Sequence, residues 1–167
     1  MKPIRNILLT VFLTIIVITA VSYSACNKNN CSNVVCQHRG VCDGGTCFCP
    51  VGYEGIRCEI LSRDKFIFNY NGSDICSNRT YPHQYQIHLL ATPGDSLELT
   101  MKNFIENPDD SAICTIQSVD SFSFIGSNNS TTYTGTGKLS HDSLWLYYQV
   151  IHDTSTYTCK YLGGSLR

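Results

Sequence analysis

The chain has 167 residues, with 12 basic and 13 acidic side chains and a formal net charge of -1. That length holds one ordinary domain, or one small domain beside a slightly larger one. The even charge balance offers no basic surface to nucleic acid and no acidic tail to a polycationic partner.

Lys2 and Arg5 precede an apolar run from Ile7 to Val21 that only threonines interrupt. A charged start followed by an apolar stretch predicts a secretory signal over residues 1–25. The competing reading is an uncleaved membrane anchor, for which the run is short of the roughly 20 apolar residues that a spanning helix needs. Tyr23-Ser24-Ala25-Cys26 resembles a bacterial lipobox. The resemblance implies that Cys26 is diacylated, becomes the new N-terminus and holds the protein to a membrane through a polar tether over residues 26–30. Ordinary signal cleavage after Ser24 is the alternative, because Ser22 and Ser24 are small residues at the required spacing. Loss of Lys2 and Arg5 with the leader leaves 10 basic against 13 acidic residues, a net charge of -3.

Six of the ten cysteines follow within residues 31–58. The spacing lacks the paired C-x2-C knuckles of a zinc site and the C-x-x-C of a redox pair. Secretion places them in an oxidising compartment, and so short a segment without an aliphatic core needs staples. A disulfide framework is therefore expected, and six cysteines allow 15 connectivities.

Cys31-x4-Cys36-x5-Cys42-x4-Cys47-x-Cys49-x8-Cys58, ending in Cys49-Pro50-Val51-Gly52-Tyr53-Glu54-Gly55, resembles an epidermal-growth-factor-like (EGF-like) module of the compact tenascin and teneurin type. The resemblance assigns a module to residues 31–59 and implies the bridges Cys31–Cys42, Cys36–Cys47 and Cys49–Cys58. Calcium-binding members of that family carry carboxylates before the first cysteine. Asn27-Lys28-Asn29-Asn30 has none, and a hard cation prefers carboxylate oxygen. No metal or other cofactor is expected.

From Asp64 the pattern becomes alternation, the signal of half-buried strands. Phe66, Phe68 and Tyr70 form the first run. Tyr85 to Ala91 and Leu97 to Met101 form the next two, and weaker runs follow at 113–118, 121–126 and 131–139. Leu144, Leu146, Tyr148 and Val150 make the clearest strand, and Tyr157, Cys159 and Tyr161 close the series. Turn-rich breaks separate them at 92–95, 107–110, 126–129 and 139–142. The fold class is therefore mostly β: a stapled module, then an antiparallel meander of about eight strands over residues 64–167, closed or nearly closed into a small barrel. Gly135-Thr136-Gly137-Lys138-Leu139 leading into Leu144-Trp145-Leu146-Tyr147-Tyr148 resembles the lipocalin-like β-domains of small Bacteroidetes lipoproteins.

First and last strands of a closed meander are neighbours, so Cys76–Cys159 is the expected fourth bridge, with Cys114 a buried free thiol; without acylation of Cys26 an even four cysteines remain and two bridges become possible. Trp145, Tyr147 and Ile151 share one face of their strand, opposite Leu144 and Leu146. They are the partner-binding candidates if that face is outward and uncovered, and core or covered residues otherwise. His141-Asp142-Ser143 has the letters of a catalytic triad, but sequence neighbours do not converge on one substrate atom, so a solvated turn is expected. His83 and His88 fall on opposite faces of a strand and do not suit a shared metal. Asn71, Asn78, Asn128 and Asn129 head glycosylation sequons, which matter in a eukaryotic host.

These readings converge on a non-catalytic, lipid-anchored binding or adhesion protein of the bacterial cell envelope, in the outer membrane, with an unknown protein or glycan partner. The lack of acidic residues after Cys26 counts against display on the cell surface. The alternatives are a carrier of a small apolar ligand inside the barrel and a secreted eukaryotic EGF-like cell-surface ligand.

Overall fold

A computed structural model of the chain describes residues 14–16, 30–106, 111–128 and 130–166. Cys26, nearly all of the leader and tether, the turn at 107–110 and the sequon residue Asn129 lie outside the described residues.

The cysteine-rich segment opens with a two-stranded ribbon, β1 (Val41–Asp43) and β2 (Thr46–Phe48). Gly44 and Gly45 form its turn with φ of 58° and 92°, a left-handed pair that favours glycine and matches the twist of the ribbon. Cys42 stands opposite Cys47. The bridges Cys31–Cys42 and Cys36–Cys47 fasten the incoming chain to both strands, and Cys49–Cys58 closes the next loop. That loop holds β3 (Tyr53–Glu54), which pairs with β4 (Ile60–Leu61). Cys47 and Cys58 are the buried hydrophobic residues of this segment. Sulfur takes the place of an aliphatic core, and loops of this length make each bridge worth about 2–3 kcal/mol.

No spacer follows. β4 runs directly into a 3-10 turn over Ser62–Phe66. The alternation of Phe66, Phe68 and Tyr70 predicted a strand here, and the strand instead begins at Asn69. Phe66 ends the turn and drops its ring into the barrel, edge-on to Phe122 at 5.4 Å between centroids. Its carbonyl accepts the Tyr70 hydroxyl at 3.0 Å. A fully buried plug therefore mimics the first inward position of a strand.

The two parts share a junction. Ser62 N donates to the Gly52 carbonyl at 2.9 Å, the Tyr53 hydroxyl donates to Ser96 Oγ at 3.2 Å, and Lys65 pairs with Glu54 at 2.8 Å. Leu97 lies directly on Gly52, where a Cβ would stand 2.1 Å from Leu97 Cδ2.

Eight strands form the barrel: β5 (Asn69–Cys76), β6 (His83–Ala91), β7 (Glu98–Lys102), β8 (Ser111–Ser118), β9 (Ser121–Asn128), β10 (Thr131–Ser140), β11 (Ser143–His152) and β12 (Ser155–Leu166). Each pairs antiparallel with the next, and β12 returns to β5, so the sheet is a closed up-and-down barrel. Closure removes the exposed edges that would otherwise template aggregation. Cys76 and Cys159 are directly opposed across the β5–β12 seam and bridged. They lie 83 residues apart, a loop for which the chain-entropy model gives about 4–5 kcal/mol.

Alternation sets the inside. Leu144, Leu146, Tyr148 and Val150 of β11 are buried, as are Tyr85, Ile87 and Leu89 of β6. The glycines of β10 make room for rings. A Cβ on Gly137 would lie 2.2 Å from Phe122 Cζ, and one on Gly135 would lie 2.8 Å from Phe124 Cζ. Phe104, in a short 3-10 turn after β7, packs its ring against Phe124, Tyr133 and Tyr148 at 4.9 to 5.4 Å.

Candidate functional site

Aromatic and aliphatic side chains fill the barrel interior. Two clefts open on the outer wall. One of about 490 Å³ is lined by Ile113 and Ile125, and one of about 470 Å³ by Tyr147, Thr158 and Lys160.

Among the described residues, Asp74 is the one charged side chain that is fully buried. β5 directs Tyr70, Gly72, Asp74 and Cys76 to the same face, and Asp74 is fully buried. Arg79, in the turn after β5, donates from Nη2 to both Asp74 carboxylate oxygens at 3.1 Å. The Tyr148 hydroxyl donates to Asp74 Oδ2 at 2.5 Å, and the Tyr85 hydroxyl lies 3.4 Å from that of Tyr148. Burial, the neighbouring Tyr85 and the bond to Asp74 hold the Tyr148 hydroxyl far above its ordinary pKa. Burial and the Asp74 charge do the same at Tyr85. A buried carboxylate held by a guanidinium and a phenol is electrostatically satisfied. The cluster ties β5, β6 and β11 together beside the closing disulfide.

Asp74, Cys76 and Cys159 also form a group of metal-ligand type, with candidate atoms within 4.8 Å of one another. The two sulfurs are bonded to each other. A disulfide is not the thiolate pair that a metal of this type takes.

Trp145, Tyr147 and Ile151 point out of the barrel, with 38, 47 and 39% of their surface exposed. The register extends their face across two more strands. Trp145 is opposite Leu162, Tyr147 is opposite Lys160, and Lys160 is opposite Ile75. Lys160 Nζ stands 5.8 Å from the centre of the Tyr147 ring, within cation–π range. Leu162 and Ile75 are exposed. The outer wall over β11, β12 and β5 thus carries an aromatic and aliphatic strip with one lysine on it.

The other expected positions are dispersed. His141 and Asp142 form the exposed turn between β10 and β11, and Ser143 begins β11. His88 is on the outer face, with Nδ1 2.6 Å from Asn69 Oδ1. His83 shares the inward side with Tyr85, its ring 5.7 Å from the Tyr85 ring. Cys114 is a buried free thiol whose pKa burial pushes up. Asn71 and Asn78 are exposed.

Sequence reasoning missed the Asp74, Arg79, Tyr85 and Tyr148 cluster. Its signal was the parity of Asp74 with Tyr70 and Cys76, which puts a carboxylate on the inward face. No protein-family model, curated protein or solved structure matches the chain.

Proposed function

We propose that the chain is a non-catalytic binding or adhesion protein outside the cytoplasm, held to a bacterial envelope membrane by a lipid on Cys26. In this reading it engages a protein or glycan through the outer wall of its barrel. The observation that carries the reading is the division of apolar surface. The interior is occupied by the protein's own side chains, while Trp145, Tyr147, Leu162 and Ile75 stay accessible on the adjoining outward faces of β11, β12 and β5. Exposed aromatic residues grouped with a cation are the usual composition of a recognition patch. The pairing of the first six bridged cysteines supports the EGF-like resemblance of residues 31–59. An interior carrier would first have to displace Phe104 and its neighbours.

The test is attachment. Cells that produce the chain are compared with a deletion strain for adhesion to each other and to panels of immobilised glycans and proteins. The expected result is attachment that falls to the deletion level with the Trp145→Ser/Tyr147→Ser variant, at unchanged protein level in the envelope. Attachment by the variant equal to that of the unsubstituted chain would remove the outer strip from the reading.

A further inference from the structure

The cysteine-rich segment exposes apolar surface more densely than the barrel does. Val35, Val41, Phe48, Val51, Ile56 and Ile60 are each more than half exposed within 30 residues, against five such residues across the barrel. Scattered single apolar residues on a surface are ordinary. Four of these are not scattered. Val41 is opposite Phe48 on the β1–β2 ribbon. A Cβ on Gly40 would stand 2.7 Å from Cys58 Sγ, 3.1 Å from Cys36 Cβ and 3.2 Å from the Phe48 carbonyl oxygen. Gln37 N donates to the Arg57 carbonyl at 2.7 Å. The backbones that carry Val35, Val41, Phe48 and Ile56 therefore meet at one place. Arg39 and Arg57, both exposed, flank it.

The tether arrives on the same ribbon, at its turn end, three residues along β2 from Phe48. Asn30 lies against Gly45 at the tip of the β1–β2 ribbon, 3.1 Å from the Cβ that an added side chain would have. Cys26 is five residues before Cys31, and five extended residues span roughly 17 Å at most. A chain anchored at Cys26 therefore holds this ribbon close to the bilayer.

We infer that the exposed apolar residues of the cysteine-rich segment, Phe48 and Ile56 foremost, dip into the surface of the lipid bilayer that holds the anchor. This rests on the anchored reading above. Phe48 is 63% and Ile56 86% exposed, and each sits on a short turn or ribbon, a shape that suits insertion between headgroups. The Arg39 and Arg57 stems can reach back to lipid phosphates. A diacyl anchor holds the chain to the membrane by itself, and added apolar contact fixes how the segment lies against the surface. The contact also orients the barrel, whose β6–β7 connection is joined to the segment through Gly52, Tyr53, Ser96 and Leu97.

The chain from Asn27 to Arg167 contains every described barrel strand and every bridge. With an N-terminal hexahistidine tag, it is bound to vesicles of phosphatidylethanolamine and phosphatidylglycerol that hold a small share of nickel-chelating lipid. The tether then does not depend on acylation of Cys26. Trp145→Phe removes the sole tryptophan, and Phe48→Trp or Ile56→Trp in that background places a reporter. Brominated acyl chains should quench either reporter about twofold and leave Trp145 of the unsubstituted chain nearly unchanged. Unquenched reporters in variants that keep the four bridges would overturn the inference and leave the apolar tips to a protein partner. Quenching of Trp145 in place of the reporters would overturn it too. The mass of the N-terminal peptide of the native protein decides separately whether Cys26 is acylated, so failure of the anchor and failure of the apolar tips read differently.

Discussion

The guanidinium of Arg79 closes over the carboxylate of Asp74 at 3.1 Å, with one partner wholly buried and the other a third exposed. The contact seals the rim of the barrel where β5 meets β12, beside the Cys76–Cys159 bridge. Removing one member of such a pair strands a charge in a medium that solvates it poorly. Arg79→Met should cost about 3 kcal/mol, the lower end of the range for breaking a buried pair, because Arg79 reaches water. Adding Asp74→Asn to that variant should recover part of the loss. Urea unfolding of the two variants measures it, and a double variant less stable than Arg79→Met would contradict the assignment.

Gly137 supports the ring of Phe122 with no atoms to spare, since a Cβ there would lie 2.2 to 2.6 Å from three ring carbons. Gly137→Ala should cost about 1–3 kcal/mol through overpacking. Adding Phe122→Leu should return some of that loss. Thermal unfolding of the three variants tests the coupling.

Four of the nine tyrosines that follow the leader should resist ionisation until the barrel opens. Burial raises the pKa of Tyr70, Tyr85, Tyr148 and Tyr161, and the Asp74 charge adds to it at Tyr85, Tyr148 and Tyr161. A tyrosine ionises near pH 10 in the unfolded chain. Above that pH the unfolded state releases protons that the native state keeps, so the contribution of these groups to stability is intact below about pH 10 and falls as pH rises beyond it. Tyrosinate absorbance should show a late, cooperative phase coincident with loss of β-sheet circular dichroism. Smooth titration of all nine in the folded state would contradict this.

Cys114 should be slow to alkylate at pH 8, because its thiol is buried in the barrel with a raised pKa and the thiolate is the reactive form. Denaturant should release a single reactive thiol from the chain that begins at Asn27. Rapid labelling without denaturant would mean that β8 does not turn Cys114 inward.

The barrel was legible because its strands obey a period of two strongly enough to be counted. Leu144, Leu146, Tyr148 and Val150 read the same way in sequence and in space. Phe66 broke the reading, because a plug at a barrel mouth needs the same apolar side chain as an inward strand position. β5 hid the buried charge for a related reason. Asp74 is inside and Ile75 outside, so hydrophobicity and parity disagree there and parity decides. Arg79 lies in a turn, where sequence carries no sign of which carboxylate it will reach. The junction was equally silent, since the contact between Gly52 and Leu97 joins residues 45 positions apart.

The intact mass of the protein extracted from membranes of its producing cell separates an anchored chain from a secreted one. The expected species begins at Cys26, carries a diacylglyceryl group and contains four disulfides. A chain that begins at Ala25 with no lipid, or one carrying glycans on Asn71 or Asn78, would contradict an envelope-anchored binding protein and favour a secreted ligand.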